Sequence, residues 1–413
     1  MRHGQITHPL LIGGVCILTC ACNGDDTLVQ SLAESDGTMH STGMDTGLDA
    51  WPVSQDLDTA APEITLVDAI VTLEETAIDD TAPDAADGLT LDLIRVADGN
   101  DVDIKEHELA GVDSVVIPEL PTLTWEAAIT LPAVRVGTVV GQNAGQVMIA
   151  SGEGLDGELT ADVQLLNTSN EIWGTGAAFA PIRRYAAGAV LDAQLYIALG
   201  LAPNNQGMGS VVRYNPAQNA WKVLLANPNP GCCAGAASAN GKVWLLGGRL
   251  GSTLVESFSP AQGVWLAHQP MPVGTSFPAV TVNSNESEIY VIGGTTADTP
   301  DGGTTHATVQ RYSIATDSWT TLADLPEPRA AASAIFYNNY VWVLGGESAS
   351  TPAQASIFVY APNEDSWSVA APLPNARSRH GSTVVGTTLY VLGGFDAMGN
   401  ALVPVDMANI STI

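Results

Sequence analysis

The chain has 413 residues, of which 46% are hydrophobic, and a net charge of −30. This length can bury a large core, either as two or three domains or as one repeat array. The negative charge argues against nucleic acid and anionic lipid headgroups as partners. The charge is uneven, because residues 23–119 hold 24 of the 44 acidic residues but only two of the 14 Lys and Arg residues.

The first 22 residues resemble a bacterial lipoprotein signal. Arg2 gives a positive start, and "PLLIGGVCILTCA" is an apolar run too short to span a bilayer. The run ends at Cys20 and Cys22, before the polar "NGDD". Ala21 is the small residue that such signals place before the modified cysteine. Cys22 is therefore the expected lipid attachment site, with Cys20 as the alternative. An ordinary signal peptide with incidental cysteines is the other interpretation.

Residues 23–117 are rich in Asp, Thr, Ala and Gly, and Trp51 is their single aromatic residue. Such a segment buries too little apolar surface to offset the entropy of ordering it. The sequence therefore predicts a disordered acidic linker over 23–117, after a signal peptide over 1–22 and before a folded domain over 118–413.

Three features of the folded domain recur with a period near 50 residues. Apolar strands such as "VWLLGG" and "LYVLGG" end on a pair of residues that contains at least one glycine. The first residues of these pairs are Ser151, Gly200, Gly247, Gly293, Gly345 and Gly393. Tryptophans recur at Trp125, Trp173, Trp221, Trp265, Trp319 and Trp367. A Pro-x-x-Arg pattern follows four of them, with arginines at Arg135, Arg184, Arg329 and Arg377. Three series in one phase indicate a repeat architecture.

Each unit contains four short apolar segments separated by turn residues, which predicts a four-stranded antiparallel sheet. Such a sheet is apolar on both faces, and a ring of sheets buries both. The double glycine, the tyrosine of "RYNP" and "VYAPNEDSW", and the tryptophan resemble kelch repeats over residues 120–413. The expected fold is therefore all-β, a six-bladed kelch-type β-propeller. Glycine would let a neighbouring backbone approach closely at the end of the second strand.

The last unit has no fourth strand, because the chain stops soon after "ALVPVDMAN". The segment "LTWEAAITLPAVR", 123–135, is a fourth strand with no unit before it. The strand around Trp125 is therefore expected to complete the sixth blade and to remove the exposed sheet edge.

In kelch propellers, the linkers into the first strands and the loops after the glycines meet on one face. The candidate binding residues on this face are Arg379, His380, Arg377, Arg329, Arg184 and Arg135. The first three form a basic cluster that suits a carboxylate, such as an acidic peptide or a sugar acid. The Pro-x-x-Arg arginines have an alternative role, holding the ring through bonds to neighbouring blades. Cys232 and Cys233 could form a vicinal disulfide or act in redox chemistry, but we favour two small buried residues.

Kelch propellers are mostly binding platforms and a few are enzymes, so the resemblance favours a binding platform without deciding between the two. We assign no catalytic residue. A carbohydrate-acting enzyme, similar to a kelch-type sialic-acid mutarotase, is the alternative. A copper-radical oxidase would need two histidines at one metal, whereas His268, His306 and His380 occupy different positions. We therefore expect no metal and no cofactor. The expected protein is an exported monomer in the cell envelope, at the outer membrane, in the periplasm or at the cell surface. It would touch the membrane only through its lipid and would bind a protein or glycan.

Overall fold

The computed structural model describes residues 121–411, apart from 127, 298 and 300–302. Before residue 121 it describes only the backbone of two strand pairs: Ile6–Ile12 with Val15–Cys20, and Ile70–Val71 with Leu93–Ile94. The rest of the predicted signal peptide and linker lies outside the described residues. The chain divides into two units, Met1–Val116 and Ile117–Ile413. In the described part of the chain, no helix has the length and apolar character needed to cross a membrane.

The second unit is an all-β, six-bladed propeller, which confirms the predicted fold class. Each blade is an antiparallel sheet whose strands follow one another from the propeller axis outwards. Blades 1 to 3 are Val139–Asn143, Gln146–Ala150, Val163–Asn167, Ile172–Gly176; Ala187–Leu191, Gln194–Ala198, Val211–Asn215, Ala220–Leu224; and Gly235–Ala239, Lys242–Leu246, Val255–Ser259, Val264–Ala267. Blades 4 to 6 are Ala279–Val282, Glu288–Ile292, Val309–Ser313, Ser318–Leu322; Ser333–Tyr337, Tyr340–Leu344, Ile357–Ala361, Ser366–Ala370; and Gly381–Val385, Thr388–Leu392, Pro404–Ile410, Leu123–Trp125.

The core lies between neighbouring blades. In the second strand of every blade the last four residues are buried, as in Thr388–Leu392. A run buried on both faces is typical of a sheet covered on both sides. One such cluster joins Tyr290 and Ile292 of blade 4 to Val341 and Val343 of blade 5. The apolar second strands therefore hold the ring together.

Blade 6 combines segments from both ends of the second unit. Leu123–Trp125 pairs antiparallel with Pro404–Ile410, and Trp125 lies opposite Ala408. Ile129–Thr130 pairs with the start of the same strand. This pairing supplies the fourth strand that the last repeat lacks, so no third strand is left as an exposed edge.

The double glycine joins each blade to the next through the main chain. A Cβ on Gly293 would lie 2.3 Å from the carbonyl oxygen of Arg329, so only glycine fits there. The N–H of the following Gly294 donates to that oxygen at 2.6 Å. The same N–H to C=O bond, 2.6–3.0 Å long, recurs at all six junctions: Gly152 to Arg183, Gly200 to Gly231, Gly248 to Thr275, Gly294 to Arg329, Gly346 to Arg377 and Gly394 to Arg135.

These six bonds correct the phase of the second repeat by one residue. The structural pair is Leu199–Gly200, not Gly200–Leu201, and the matching arginine is Arg183, not Arg184. The Pro-x-x-Arg pattern selected Arg184 because two arginines are adjacent in "PIRRY". Arg183 is the one whose carbonyl accepts the bond from blade 1. By the same bonds, Gly231 holds the arginine position in blade 3.

A second link between blades, which we call the clasp, uses the recurring tyrosine and tryptophan. In blade 5, Asp365 Oδ1 accepts from Tyr360 Oη at 2.6 Å and from the Ala323 N–H at 2.8 Å. Trp367 Nε1 donates to Ala323 O at 2.9 Å. Equivalent clasps join blades 1 and 2 through Tyr214, Asn219 and Trp221, and blades 3 and 4 through Tyr312, Asp317 and Trp319.

The clasp is incomplete on both sides of blade 6. Trp125 and Trp173 occupy the clasp position, but neither indole N–H has a hydrogen-bond partner among the described residues. Among the described residues, the junctions on the two sides of blade 6 therefore lack the indole hydrogen bond that joins blades 1 and 2, blades 3 and 4, and blades 4 and 5.

Candidate binding site

Six residues directly around the propeller axis form a closed ring of main-chain hydrogen bonds. Each lies two residues after the arginine position, and its N–H donates to the C=O of the equivalent residue in the preceding blade at 2.7–3.2 Å. The six residues are Gly137, Tyr185, Cys233, Phe277, Ala331 and Arg379. All six have φ between 51° and 69°. The ring fixes the direction in which the six side chains leave the backbone. These residues lie at one end of the central channel, and we call this end the mouth.

Large and small side chains alternate around this axial ring. Tyr185, Phe277 and Arg379 come from blades 2, 4 and 6, whereas the residues from blades 1, 3 and 5 are small. Tyr185 and Phe277 contact edge to face, with their ring centroids 5.3 Å apart. Gly137 makes room for this arrangement, since a Cβ there would lie 2.6 Å from the Tyr185 ring. Positive φ is costly for bulky residues, and such strain often marks a functional site.

Two buried carboxylates, Glu347 and Glu153, accept hydrogen bonds from Arg379 and Tyr185. Arg379 donates to Glu347 through Nε at 3.2 Å and Nη2 at 2.9 Å, and to Tyr185 Oη through Nη1 at 3.2 Å. Tyr185 Oη in turn donates to Glu153 Oε1 at 3.3 Å. Arg184 forms an ion pair with the other oxygen of Glu153. One hydrogen-bonded network therefore crosses the mouth, and we call these five residues with Phe277 the mouth site.

The mouth site is electrically compensated. The side chains of Glu347 and Glu153 are only 4% and 8% exposed, and each is paired with an arginine. Burial lowers the pKa of Arg379, but its hydrogen bonds and ion pair with Glu347 outweigh burial and raise the pKa above its usual value. Burial also raises the pKa of Tyr185, so its hydroxyl stays protonated at neutral pH. The site therefore presents polar and aromatic groups without a net charge.

Three of the predicted binding residues lie beneath the surface. Arg135, Arg329 and Arg377 are fully buried. Arg377 donates to Gly393 O at 2.9 Å and pairs with Asp406 at 2.7 Å, both within blade 6. The alternative role, bonds to neighbouring blades, needs a correction, because these guanidinium groups bond within their own blade. It is the main-chain carbonyls of these arginines that reach the neighbouring blade.

The predicted basic cluster is not a positive patch. His380 is buried, and its Nε2 lies 2.9 Å from Ser333 Oγ. Burial, with the charge of Arg377, lowers the pKa of His380 to about 3, so the ring is neutral. Arg377 and Arg379 pair with Asp406 and Glu347, so each positive charge already has a partner. Of the six predicted residues, the structure brings only Arg184 and Arg379 into the mouth site.

Cys232 and Cys233 are joined by a vicinal disulfide, and both are almost fully buried. The favoured interpretation, two small buried residues, is correct for burial but wrong in treating the thiols as separate. Cys233 belongs to the axial ring, between Tyr185 and Phe277. Among the residues that the structure describes, no three His, Cys, Asp or Glu side chains gather in a way that could hold a metal ion.

Comparison with known proteins agrees with the repeat pattern. The sequence model of the Attractin/LZTR1 beta-propeller family matches residues 252–403. Kelch-like protein 35 of Mus musculus is 27% identical over 177 residues, which are 42% of this chain and 28% of that protein. Kelch-like protein 25 of Xenopus tropicalis is 25% identical over 213 residues, 49% of this chain and 35% of that protein. The ring is a six-bladed propeller whose repeats are similar to those of kelch-like proteins.

The matched part of this chain spans only about a third of the length of those curated relatives. The solved structure of YjhT superimposes with a TM-score of 0.59 and 17% identity, covering 68% of this chain and 99% of that one. At this identity the likeness shows the fold alone.

The loops around the mouth of the propeller carry exposed apolar side chains. Leu155, Leu250 and Met398 lie in the loops that follow the second strands of blades 1, 3 and 6, and are 71%, 71% and 84% exposed. A groove of about 310 Å³ lies between the loops of blades 1 and 2. Its lining includes Leu159, Ile182, Arg184, Ala202 and Pro203. We call the three exposed residues the apolar tips.

Sequence reasoning missed Glu153, Tyr185, Phe277 and Glu347. The two glutamates directly follow a second-strand glycine, and the two aromatic residues lie two positions after the arginine position. Both offsets can be read from the sequence once the repeat phase is known, and the one-residue error in the second repeat concealed the offset of Tyr185.

Proposed function

We propose that this kelch propeller is a protein-binding platform and that its partner docks on the mouth face. The observation that carries the proposal is the set of apolar tips, Leu155, Leu250 and Met398, around a compensated polar centre. Protein interfaces combine exposed apolar anchors with paired polar groups in this manner. A contiguous apolar patch on one face commonly marks an interaction site, and in this proposal the three tips contact one partner together.

A protein partner fits the mouth site better than a small anion. The guanidinium groups of Arg184 and Arg379 are already paired with buried carboxylates, so an anion would have to displace an internal partner. Tyr185 and Phe277 pack edge to face at the axial ring, and in this proposal they offer the partner an aromatic surface. The kelch-like names of the relatives support the same choice.

The same proposal places the protein in the cell envelope, as a monomer tethered by a lipid on Cys22. The support is the signal-like pattern of residues 1–22 and the acidic composition of 23–117. Changing Cys22 to Ser should release the protein from membranes, and Cys20→Ser should not. Lipid attachment that survives Cys22→Ser, or release by Cys20→Ser alone, would contradict the choice of Cys22.

The platform is tested by comparing two sets of serine variants of the full chain. One set changes the apolar tips; the matched set changes Ile172, Val223 and Val369, which are exposed on outermost strands. Proteins that co-purify with the chain from its native cells are identified and purified, and their affinities are then measured with purified components. We expect the tip variants to weaken binding at least tenfold and the matched variants to leave it unchanged. Equal affinity of the tip variants, or loss only in the matched set, contradicts docking on the mouth face.

A further inference from the structure

The side chain at the arginine position meets the same acceptor in five of the six blades. It donates to the C=O of the first residue of the pair that ends the second strand, at 2.9–3.5 Å: Arg135 to Ser151, Arg183 to Leu199, Thr275 to Gly293, Arg329 to Gly345 and Arg377 to Gly393. In blade 3 the arginine position is Gly231, which has no side chain. The equivalent acceptor, Gly247 O, accepts no hydrogen bond from a described residue. Blade 3 therefore has an acceptor without the donor that the other blades supply.

Blade 3 also has a buried carboxylate where blade 6 pairs one with its arginine. In blade 6, Asp406 pairs with Arg377 at 2.7 Å and accepts from Asn375 Nδ2 at 2.8 Å. Glu256 holds the equivalent place, because each carboxylate lies opposite the residue two positions before the pair that ends the second strand. Asn229 Nδ2 donates to Glu256 at 2.7 Å, as Asn375 does to Asp406. Blade 3 thus keeps the asparagine and the carboxylate of this arrangement but not the arginine.

The partners of Glu256 leave its charge uncompensated. The residue is 7% exposed, and Asn227 and Asn229, which donate to it through Nδ2 at 3.0 and 2.7 Å, are both neutral. In the described part of the chain, no Lys, Arg or His forms an ion pair with Glu256. Buried carboxylates are normally paired with a cation. The arrangement therefore favours a positively charged group beside Glu256.

Blade 3 has room for such a group, and solvent reaches it. Gly231 is buried, yet apart from its chain neighbours a Cβ there would meet only the Cβ of Arg249, at 4.0 Å. The side chain of Arg249 is itself exposed. Gly247 is partly exposed, whereas the equivalent residue is buried in each of the other five blades. The residue that carries the unpaired acceptor is therefore open to solvent only in blade 3.

We propose that blade 3 binds a guanidinium group at this place, which we call the open arginine position. Its acceptors are Gly247 O, Leu254 O and the carboxylate of Glu256. Leu254 belongs to the set because it directly precedes the third strand, and the arginines of blades 2 and 5 also donate to the C=O of the residue in that place, Ser210 and Ser356.

The other blades indicate the kind of ligand, since a guanidinium group already donates to the equivalent acceptors there. A planar guanidinium presents five N–H donors and can serve several acceptors at once, whereas an ammonium is a compact point charge. The group could belong to a free small molecule or to an arginine side chain of a protein. Guanidinium binding goes beyond the protein-binding platform and does not depend on it.

The test uses the full chain and two pairs of probes. Methylguanidinium stands for a small molecule and Nα-acetyl-arginine methylamide for a protein side chain; methylammonium and the lysine methylamide carry the same charge without the planar fork. Saturation-transfer NMR detects binding, and titration gives its strength. We expect a guanidinium probe to bind with a millimolar dissociation constant and its ammonium counterpart about tenfold more weakly.

The pattern among the probes identifies the source of the group. Binding of methylguanidinium alone supports a small-molecule ligand, and binding of the arginine methylamide supports a protein side chain. No saturation transfer to either guanidinium probe, or equal binding of the ammonium probes, would overturn the proposal. None of these probes needs a docked protein, so this proposal and the platform can fail separately.

Two variants locate the site. Gly231→Arg places the chain's own guanidinium at the open arginine position, and the φ of Gly231 is not positive, so the new side chain adds no backbone strain. Binding of the guanidinium probe should be lost in this variant. Glu256→Gln removes the charge and should weaken binding about tenfold.

The matched control is Glu288→Gln, which neutralises a partly exposed carboxylate that pairs with Arg311 in blade 4. It should leave the affinity for the probe unchanged. If Gly231→Arg does not fold, Glu256→Gln carries the test. Binding that survives the blade 3 changes, or that falls equally in Glu288→Gln, overturns the assignment to the open arginine position.

Discussion

Gly393, at the end of the last blade's second strand, and Arg135, just before the first blade, are in direct main-chain contact. A Cβ on Gly393 would lie 2.3 Å from the carbonyl oxygen of Arg135, and the next residue, Gly394, donates its N–H to that oxygen. The backbone contact that joins consecutive blades therefore also joins the last blade to the first, and it depends on the absence of a side chain.

Gly393→Ala should destabilise the propeller more than Gly386→Ala does. Both glycines have positive φ, 69° and 62°, and both lie in blade 6, but a Cβ on Gly386 would meet nothing within 4 Å. The backbone conformation alone costs an alanine about 1 kcal/mol. The clash with Arg135 should add about 2 kcal/mol or more at Gly393. Urea unfolding measures both variants, and equal losses would show that the close approach is not what requires glycine.

Trp367→Phe should cost more stability than Trp125→Phe. The Trp367 indole donates to Ala323 O, and phenylalanine leaves that carbonyl without the indole donor. We expect this loss to lower the free energy of unfolding by about 1 kcal/mol beyond the effect of lost packing. The Trp125 indole N–H is buried without a partner among the described residues, so replacing it removes an unsatisfied donor. Thermal or urea unfolding of the two single variants makes the comparison. A larger loss at Trp125 would contradict an incomplete clasp at blade 6.

The sequence was sufficient for the fold and insufficient for the site. The blade period and the closing strand around Trp125 can be predicted from repeating residues, because every blade packs against its neighbours through the same local pattern of apolar residues. The mouth site depends on contacts that repeat only once or not at all. Glu347 pairs with Arg379 across two blades, and Tyr185 reaches Arg379 over Gly137. Such pairs cannot be placed until each residue's position within its repeat is known to one residue.

His380 should make stability fall as the pH is lowered from 7 to 5. Its pKa is about 3 in the folded protein, against 6.5 for an ordinary histidine, because burial and then the charge of Arg377 disfavour the proton. Below pH 6.5 His380 is therefore protonated in the unfolded chain but stays neutral in the folded chain. The free energy of unfolding falls progressively down to about pH 3. Between pH 7 and pH 5 the expected loss is about 2 kcal/mol.

The matched variant for this effect is His380→Gln, which cannot titrate but can still bond to Ser333. Urea unfolding at pH 7, 6 and 5 should give it a shallower dependence on pH than the natural chain. His268 and His306 are present in both proteins and cancel in the difference. Parallel curves for the two proteins would mean that His380 is not held neutral by burial.

The ion pair of Arg379 and Glu347 should show strong coupling in its contribution to stability. Arg379→Met alone leaves a carboxylate that is 4% exposed without its partner, which should cost about 3–5 kcal/mol. Glu347→Gln in the same chain removes the stranded charge, so the double variant should be more stable than Arg379→Met. Urea unfolding of the natural chain, the two single variants and the double variant should give a coupling energy of about 2 kcal/mol or more.

The control is the equivalent cycle at Arg311 and Glu288, a pair at 3.4 Å whose side chains are 31% and 28% exposed. Because solvent screens that pair, its coupling should stay below about 1 kcal/mol. A coupling at the mouth no larger than at the control would show that the carboxylate reaches water without Arg379, and that the compensated centre assigned to the mouth site does not exist.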